Sequence, residues 1–321
     1  MTVEAQPKLP EVSVVVPTRD RPRILQRCLA AVLADEGTRE AVVVLDGDDP
    51  ATMAMLTPLA ERDPRVTITR APAEPAELAR LQRARDHGVR TARSEIVLSI
   101  DDDVVAHPGM VSDHARRHTA GERIVVVGYM PVATTRRWPR SQAPVRFYSI
   151  AYETHCAHYR AKPASILRQL WGGNVSVRRA DWLRAVQRPH VATNMFDDRE
   201  LGLLLLEDGL EAIFDPELVA DHYYERSLRG FVARAQSTAR EQATMWAAHP
   251  DQAEGTEELT ERRVHTLLLR LSRSRIGWWL AKWGLISVTW VAGAIRLRPV
   301  ENRGAELLWR VAFDRTARQR A

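Results

Sequence analysis

Three adjacent carboxylates, Asp101, Asp102 and Asp103, end the apolar run 96–100 and stand just ahead of Pro108-Gly109. Like charges at a strand tip repel, so folding alone gains nothing from placing them together. A hard divalent cation removes that repulsion and can bridge the oxygens of a diphosphate. The competing account is a solvated acidic loop that caps the next helix. A further carboxylate, Asp46, closes the run "AVVVLDG", where the alternative is turn or cap duty ahead of Pro50. Asp197 and Asp198 open "FDDRELGLLLLEDG"; Asp197 with Glu200 reads as a capping box, while Asp198 faces a crevice. His155, Cys156 and His158 have the residue types of a zinc site, but no second cysteine pair completes four ligands, and they are read as ordinary structure.

These carboxylates need strands to hold them. The run 12–16 reads as a buried strand closed by Pro17, followed by a helix over 22–34 with Pro at its first turn. Ile24, Leu25, Cys28, Leu29, Val32 and Leu33 form that helix's apolar face. Strands are predicted at 41–47, 66–70, 96–100 and 123–130, and a long helix at 75–92. Strands alternating with helices predict an α/β fold with a mostly parallel sheet and right-handed crossovers. Ligands of such sheets sit beyond the carboxyl ends of the strands. Asp46 and the Asp101–Asp103 cluster lie at such ends and converge on one crevice. The region 131–170 is rich in Trp, Arg, Pro and His without clean periodicity and reads as loops covering that crevice. At "WGGNVSVRRADW" Gly172 and Gly173 allow close backbone approach, and Ala180 begins a short helix. A helix from about Asp197 stops at Gly209, a strand runs into Phe214, and 227–247 is an amphipathic helix.

A chain of 321 residues with 45% hydrophobic and 27% charged residues is an ordinary globular protein, long enough for one large domain or two. Its net charge is +5, and nearly all the cations are Arg, with Lys at 8, 162 and 282. Arginine favours bidentate contacts to phosphate and carboxylate, which suits phosphorylated ligands or an anionic lipid surface. So small an excess is weak evidence for nucleic acid, no zinc-finger or RNA-binding signature accompanies it, and no nucleic-acid partner is expected. Cys28 and Cys156 make no disulfide framework, and the start "MTVEAQPKLP" has no secretory pattern, which suits the cytoplasm. The division expected is a tail at 1–10, a main domain at 11–248 and a helical extension at 249–321, joined by the polar stretch 249–258. Within the extension, 276–295 carries four Trp and one Lys, with Arg273, Arg275, Arg296 and Arg298 outside it. Lys282 inside the stretch and scattered Trp fit a helix lying on the inner leaflet better than one crossing it. Helices packed on the domain or on a second subunit are the alternative.

The segments taken in order resemble the family 2 glycosyltransferases, nucleotide-sugar enzymes with the GT-A fold. "VSVVVPTRDRP" is similar to the family's first strand and turn, and "VVVLDGDDP" to its second, usually V-V-D-D-G-S. "RARDHGVRTARSEIVLSIDDD" is similar to the A-R-N-x-G segment running into the D-x-D strand, and "GGNVSVRR" to the G-G-N-x-S-x-R loop. "FDDRELGLLLLEDG" resembles the E-D-x-x-L-G-x-R-L helix, with Asp197 where Glu is usual. Leu45 replaces the first Asp of the second-strand pair, leaving base recognition to Asp46. The Q-x-x-R-W motif of processive synthases is absent, which implies one sugar per encounter.

The resemblance implies a Rossmann-like nucleotide half and an acceptor half. By that resemblance Asp103 is expected to ligate Mg²⁺ or Mn²⁺ directly and Asp101 and Asp102 to contact metal or ribose, and the roles that follow are expected on the same ground. Pro17, Thr18 and Arg19 floor the nucleotide site, and Asp46 accepts the imide N–H of uracil, so a UDP-sugar is the expected donor. Arg85 pairs with Asp46 or the diphosphate, a plain surface ion pair being the other account. Asp198 is the general base of a single inverting displacement onto an acceptor hydroxyl. That acceptor is a carbohydrate, a lipid-linked molecule or a small molecule. His222 is a third metal ligand or phosphate contact, or else structural. Gly172, Gly173, Asn174 and Asp197 line the sugar and acceptor pocket, with Trp171 stacking on a sugar or serving the core. Two other classes compete: a nucleotidyltransferase, which would want a Gly-rich, Lys-bearing loop that "VPTRDRPRIL" lacks, and a non-catalytic membrane-docked scaffold of the same fold.

Overall fold

The computed structural model describes residues 9–72, 80–118, 123–133, 142–252 and 263–319. It divides into two compact units: one comprises the chain up to Ala133 with Cys156–Tyr223, the other Thr134–His155 with Tyr224–Ala321.

The first unit runs β1 (Val12–Thr18), α1 (Pro22–Ala34), β2 (Thr38–Leu45), α2 (Pro50–Arg62), β3 (Val66–Arg70), α3 (Arg80–Thr91), β4 (Ile96–Ile100), β5 (Val104–Ala106), α4 (Met110–Arg117) and β6 (Ile124–Tyr129). After α5 (Ala143–Ala161), which begins in the second unit, come β7 (Asn174–Arg178), α6 (Arg179–Ala185), α7 (Asp197–Glu207) and β8 (Glu211–His222). One eight-stranded sheet has the order β3-β2-β1-β4-β7-β6-β8-β5. The pairs β1/β2, β2/β3, β1/β4 and β6/β8 are parallel, and β4/β7, β6/β7 and β5/β8 antiparallel. The central strands are apolar on both sides because helices cover both: Val14, Val15, Val16, Ile96, Val97, Leu98 and Ile100 are fully buried. In α1, Leu25, Cys28, Leu29 and Val32 turn to the core, as their spacing predicts. The close seat of α3 depends on Gly88, where a Cβ would lie 2.3 Å from Val15 Cγ1.

The strands at 12–18, 38–45, 66–70, 96–100 and 124–129 fall where apolar runs place them. The helix expected at 75–92 is described from Arg80, since 73–79 lie outside the described residues. One expectation fails. The loops expected over 131–170 include the 19-residue helix α5. Its buried positions Tyr148, Tyr152, Cys156 and Tyr159 have helical spacing, but they are aromatic and cysteine rather than aliphatic, which masked the stripe. Residues 134–141 lie outside the described residues, as does most of the linker expected at 249–258.

The second unit adds α8 (Leu228–Ala248), α9 (Arg263–Leu271), α10 (Arg275–Ala294) and α11 (Arg298–Arg318) to the start of α5. Ser227 caps α8 by accepting the Gly230 N–H. Leu228, Phe231, Val232 and Ala235 of α8 bury against Ala305, Leu308 and Ala312 of α11. Phe147, Phe231 and Trp309 form a ring cluster with centroids 4.9–5.2 Å apart. Buried Glu301 pairs with Arg146 and accepts the backbone N–H groups of Gln142 and Ala143, capping the start of α5. Among the described residues no helix is long and apolar enough to cross a membrane.

Candidate active site

The carboxyl ends of β1, β2 and β4 bring the acidic residues together. Thr18, at the end of β1, donates from Oγ1 to Asp102 Oδ2 at 2.8 Å. Its carbonyl accepts the Asp46 N–H at 3.0 Å, tying the tip of β2 to the same cluster. Arg21 donates to Asp102 Oδ1 at 3.0 Å and to Asp103 Oδ2 at 2.7 Å. His222, at the end of β8, holds Nε2 3.3 Å from Asp103 Oδ1. β5 pairs with β8 at Val104 and His222, which explains how a residue so distant in sequence reaches the triad.

Burial opposes ionisation of Asp103, but His222 and Arg21 outweigh it and hold the carboxyl below its usual range. Asp102 goes the other way: burial, opposed by Arg21 and reinforced by the Asp103 charge, pushes it up to about 6. The two neighbours differ because Asp103 gains a second partner, the His222 hydrogen bond, beside Arg21.

A second cluster adjoins the first through Asp101. Arg85 of α3, which is 5% exposed, donates to Asp101 Oδ1 at 2.7 Å and to Asp197 Oδ2 at 2.5 Å. The Asp101 N–H is donated to the Gly173 carbonyl at 3.2 Å. Gly173 has φ +103°, and a Cβ there would lie 2.8 Å from Asp101 Oδ2, so glycine alone fits. The Gly172 N–H is donated to Asp198 Oδ2 at 2.8 Å, and the Arg199 N–H to Asp198 Oδ1 at 2.8 Å. Burial pushes the carboxyls of Asp197 and Asp198 up, with Arg85 opposing. A carboxylate so placed is a stronger base than one in water. Behind the pair is a cavity of about 20 Å³, lined in part by Gln82, Ser99, Asp197 and Asp198. The Gln82 amide and Ser99 hydroxyl are buried there without a hydrogen-bond partner among the described residues, in room for one water.

Several expected roles change. Arg85 pairs with Asp101 and Asp197 rather than Asp46, whose cation is Arg19, at 3.4 Å. Arg85 is buried, so the surface-ion-pair account falls too. The cap ahead of Pro50 is Asp49, not Asp46: Asp49 accepts the N–H groups of Thr52 and Asp20. The Asp197–Glu200 capping box does not form; Phe196 holds the N-cap position, Asp197 is committed to Arg85, and Glu200 accepts the Val191 N–H. Asn174 does not line the cleft. It is fully buried, donating from Nδ2 to the Leu218 carbonyl at 3.0 Å, with Oδ1 2.9 Å from His114 Nε2. His114 and His118 both reach Ser176 Oγ at 2.8 Å, so the G-G-N-x-S segment anchors β7 to α4. Pro17 and Thr18 are buried and Arg19 exposed; Trp171 is half-buried, with its N–H donated to the Tyr159 hydroxyl at 2.9 Å. Sequence reasoning missed Arg21, which lies one residue before the helix-starting Pro22 and has no periodicity to mark it.

The donor set suits a hard cation. Asp101 and Asp103 supply oxygens at the mouth of the fourth strand, and the Asp103–His222 separation lets both reach one ion. Among the described residues no three acidic, His or Cys side chains close a cage. A cation shared with a diphosphate calls for few protein donors, because phosphate and water fill the remaining positions.

Comparison with known proteins identifies the family and the fold. The model for Glycosyl transferase family 2 matches residues 13–180, from β1 through the G-G-N-x-S-x-R loop. No curated protein sequence matches the chain. Among solved structures, the mannosyltransferase PcManGT from Pyrobaculum calidifontis, in complex with GDP-Man and Mn²⁺, superposes with a TM-score of 0.58. The match covers 97% of this chain and 87% of that one at 15% identity, a likeness of fold. With its acidic strand tips, its glycine loop and a family match over more than half its length, the chain belongs to glycosyl transferase family 2 and is a glycosyltransferase of the GT-A fold.

Proposed function

We propose that the protein moves one sugar per encounter from a nucleoside diphosphate sugar to an acceptor hydroxyl, inverting the anomeric centre. Asp198 takes the hydroxyl proton as the acceptor oxygen attacks the anomeric carbon. The carbon–oxygen bond to the diphosphate breaks on the opposite side, and its electron pair leaves with the nucleotide. The observation that carries this reading is the hydrogen bond from Gly172 to Asp198, beside the Gly173–Asp101 contact. It joins the base to the acidic triad in a single cluster. Among the described residues no separate nucleophile stands beside the pair, which favours one displacement over two.

Asp103 and Asp101, with His222, are the residues that would hold Mg²⁺ or Mn²⁺. Such an ion neutralises charge on the departing diphosphate. Thr18 and Arg21 keep Asp102 and Asp103 oriented, and Pro17, Thr18 and Arg19 border the nucleotide. Asp46 is our choice for recognising the nucleobase. Its carboxylate accepts the imide N–H of uracil, hence a UDP-sugar, but the paired N–H donors of guanine suit it equally well. The GDP-Man bound by PcManGT makes a GDP-sugar the second reading. We assign the transfer chemistry to 11–248, treat 249–321 as an extension, and place the protein in the cytoplasm.

The test measures nucleoside diphosphate released from a panel of UDP- and GDP-sugars, with Mn²⁺, with Mg²⁺ or with chelator. Release should need the metal and fall on the order of 10²–10³-fold in Asp103→Ala. Release that survives chelation and Asp103→Ala would overturn the metal reading. A protein inert toward every donor, but making nucleotide sugar from nucleoside triphosphate and sugar phosphate, would overturn the transfer reading.

A further inference from the structure

The outward side of α10 is apolar over most of its length, with exposed Ser287 interrupting it. Ile276, Leu280, Val288, Val291 and Ile295 recur every three or four residues, about one helical turn, with exposed Gly284 filling the step between Leu280 and Val288. Trp279 widens the stripe. Ile276 is 75% and Ile295 67% exposed, so the stripe is bare at both ends. The opposite side of α10 is already used: Ala281, Thr289 and Ala292 are buried within the unit. At 1.5 Å per residue the stripe extends about 30 Å. Leu267 and Leu271 of α9 are also exposed. A water-facing apolar surface of this size marks an interaction site.

Charge narrows the choice of partner. No Asp or Glu occurs anywhere in residues 264–300. Arg270, Arg273 and Arg275 stand exposed before the stripe, and Arg296 and Arg298 after it. Lys282 lies beside the stripe, its ammonium 5.1 Å from the Trp283 ring centroid and 6.0 Å from that of Trp278. Tryptophan and arginine around an aliphatic strip match the boundary between lipid head groups and acyl chains. A second copy fits worse. Laying two such helices against each other, parallel or antiparallel, sets arginine clusters against arginine clusters, which like-charge repulsion opposes.

We infer that α10 and the end of α9 form a docking face for an anionic phospholipid bilayer, with α10 lying flat in the interface. The apolar stripe enters the acyl boundary, and the arginines at both ends contact lipid phosphates. The helix is not apolar enough to cross, which agrees with an in-plane position. This inference is independent of the donor-site reading.

The test is flotation of the full chain with vesicles of phosphatidylcholine mixed with phosphatidylglycerol, against phosphatidylcholine alone. Binding should be confined to the anionic vesicles and weaken with salt. It should drop about fivefold for each of Arg273 and Arg275 changed to alanine. Trp279→Glu with Leu280→Glu should lower it on the order of a hundredfold. Both residues are exposed, so that variant keeps its melting temperature and its rate of nucleotide release in vesicle-free buffer. Equal binding by the Glu variant, or equal binding to neutral vesicles, would overturn the inference. So would a wild-type dimer by light scattering that the Glu pair turns to monomer without altering vesicle binding.

Discussion

Arg85→Met tests whether the buried guanidinium is the keystone between the acidic triad and the proposed base. Arg85 reaches Asp101 and Asp197 at 2.7 and 2.5 Å; its guanidinium and Asp197 are buried, and Asp101 is half-buried. Methionine roughly preserves the stem but leaves buried Asp197 and half-buried Asp101 without their cation. Breaking a buried pair from one side costs about 3–5 kcal/mol. For a unit of this size that corresponds to a fall in Tm of roughly 6–20 °C. The loss has a defined pH dependence. Burial holds Asp197 and Asp198 above the usual carboxyl range, with Arg85 opposing. The folded state therefore binds these protons more tightly than the unfolded state, whose carboxyls titrate at about 3.9. Stability from such groups is fully present below the unfolded value and is lost as pH rises through the folded one. Removing Arg85 raises the folded values further, so the deficit should be small at about pH 4 and complete at about pH 8. Thermal unfolding of wild type and variant across that range measures it. Adding Asp197→Leu should recover part of the loss, because an apolar pair replaces an uncompensated charge. A Tm change under about 3 °C, or a deficit equal at both pH values, would refute the reasoning.

Two further substitutions separate chemistry from architecture. Asp198→Asn keeps an oxygen to accept the Gly172 N–H but cannot take a proton. Steady-state kinetics should show kcat lowered about 10²–10⁴-fold with little change in KM or Tm. Asn174→Ala leaves the Leu218 carbonyl and His114 Nε2 without their buried partner, which should cost about 2–4 kcal/mol by chemical denaturation. Metal dependence should survive in that variant's folded fraction, because Asn174 points away from the cleft.

Much of this protein is legible in one dimension. Strands such as 12–18 and 96–100 are buried on both faces, so an unbroken apolar run is enough to mark them. Pro22 and the stripe of α1 mark a helix within a residue of its ends, because cap chemistry and period are local properties. Asp46 and Asp101–Asp103 had to meet once their strands were parallel neighbours of β1, a consequence of topology that alternating elements already imply. The tertiary structure decided the partners. Arg85 chose Asp101 and Asp197, and Asn174 turned inward to His114, because hydrogen bonding across 16 to 112 residues of separation depends on how helices seat against a sheet. No local period encodes that seating. α5 went unread because its buried side is built from tyrosines and a cysteine, whose helical spacing shows only once the core they fill is known.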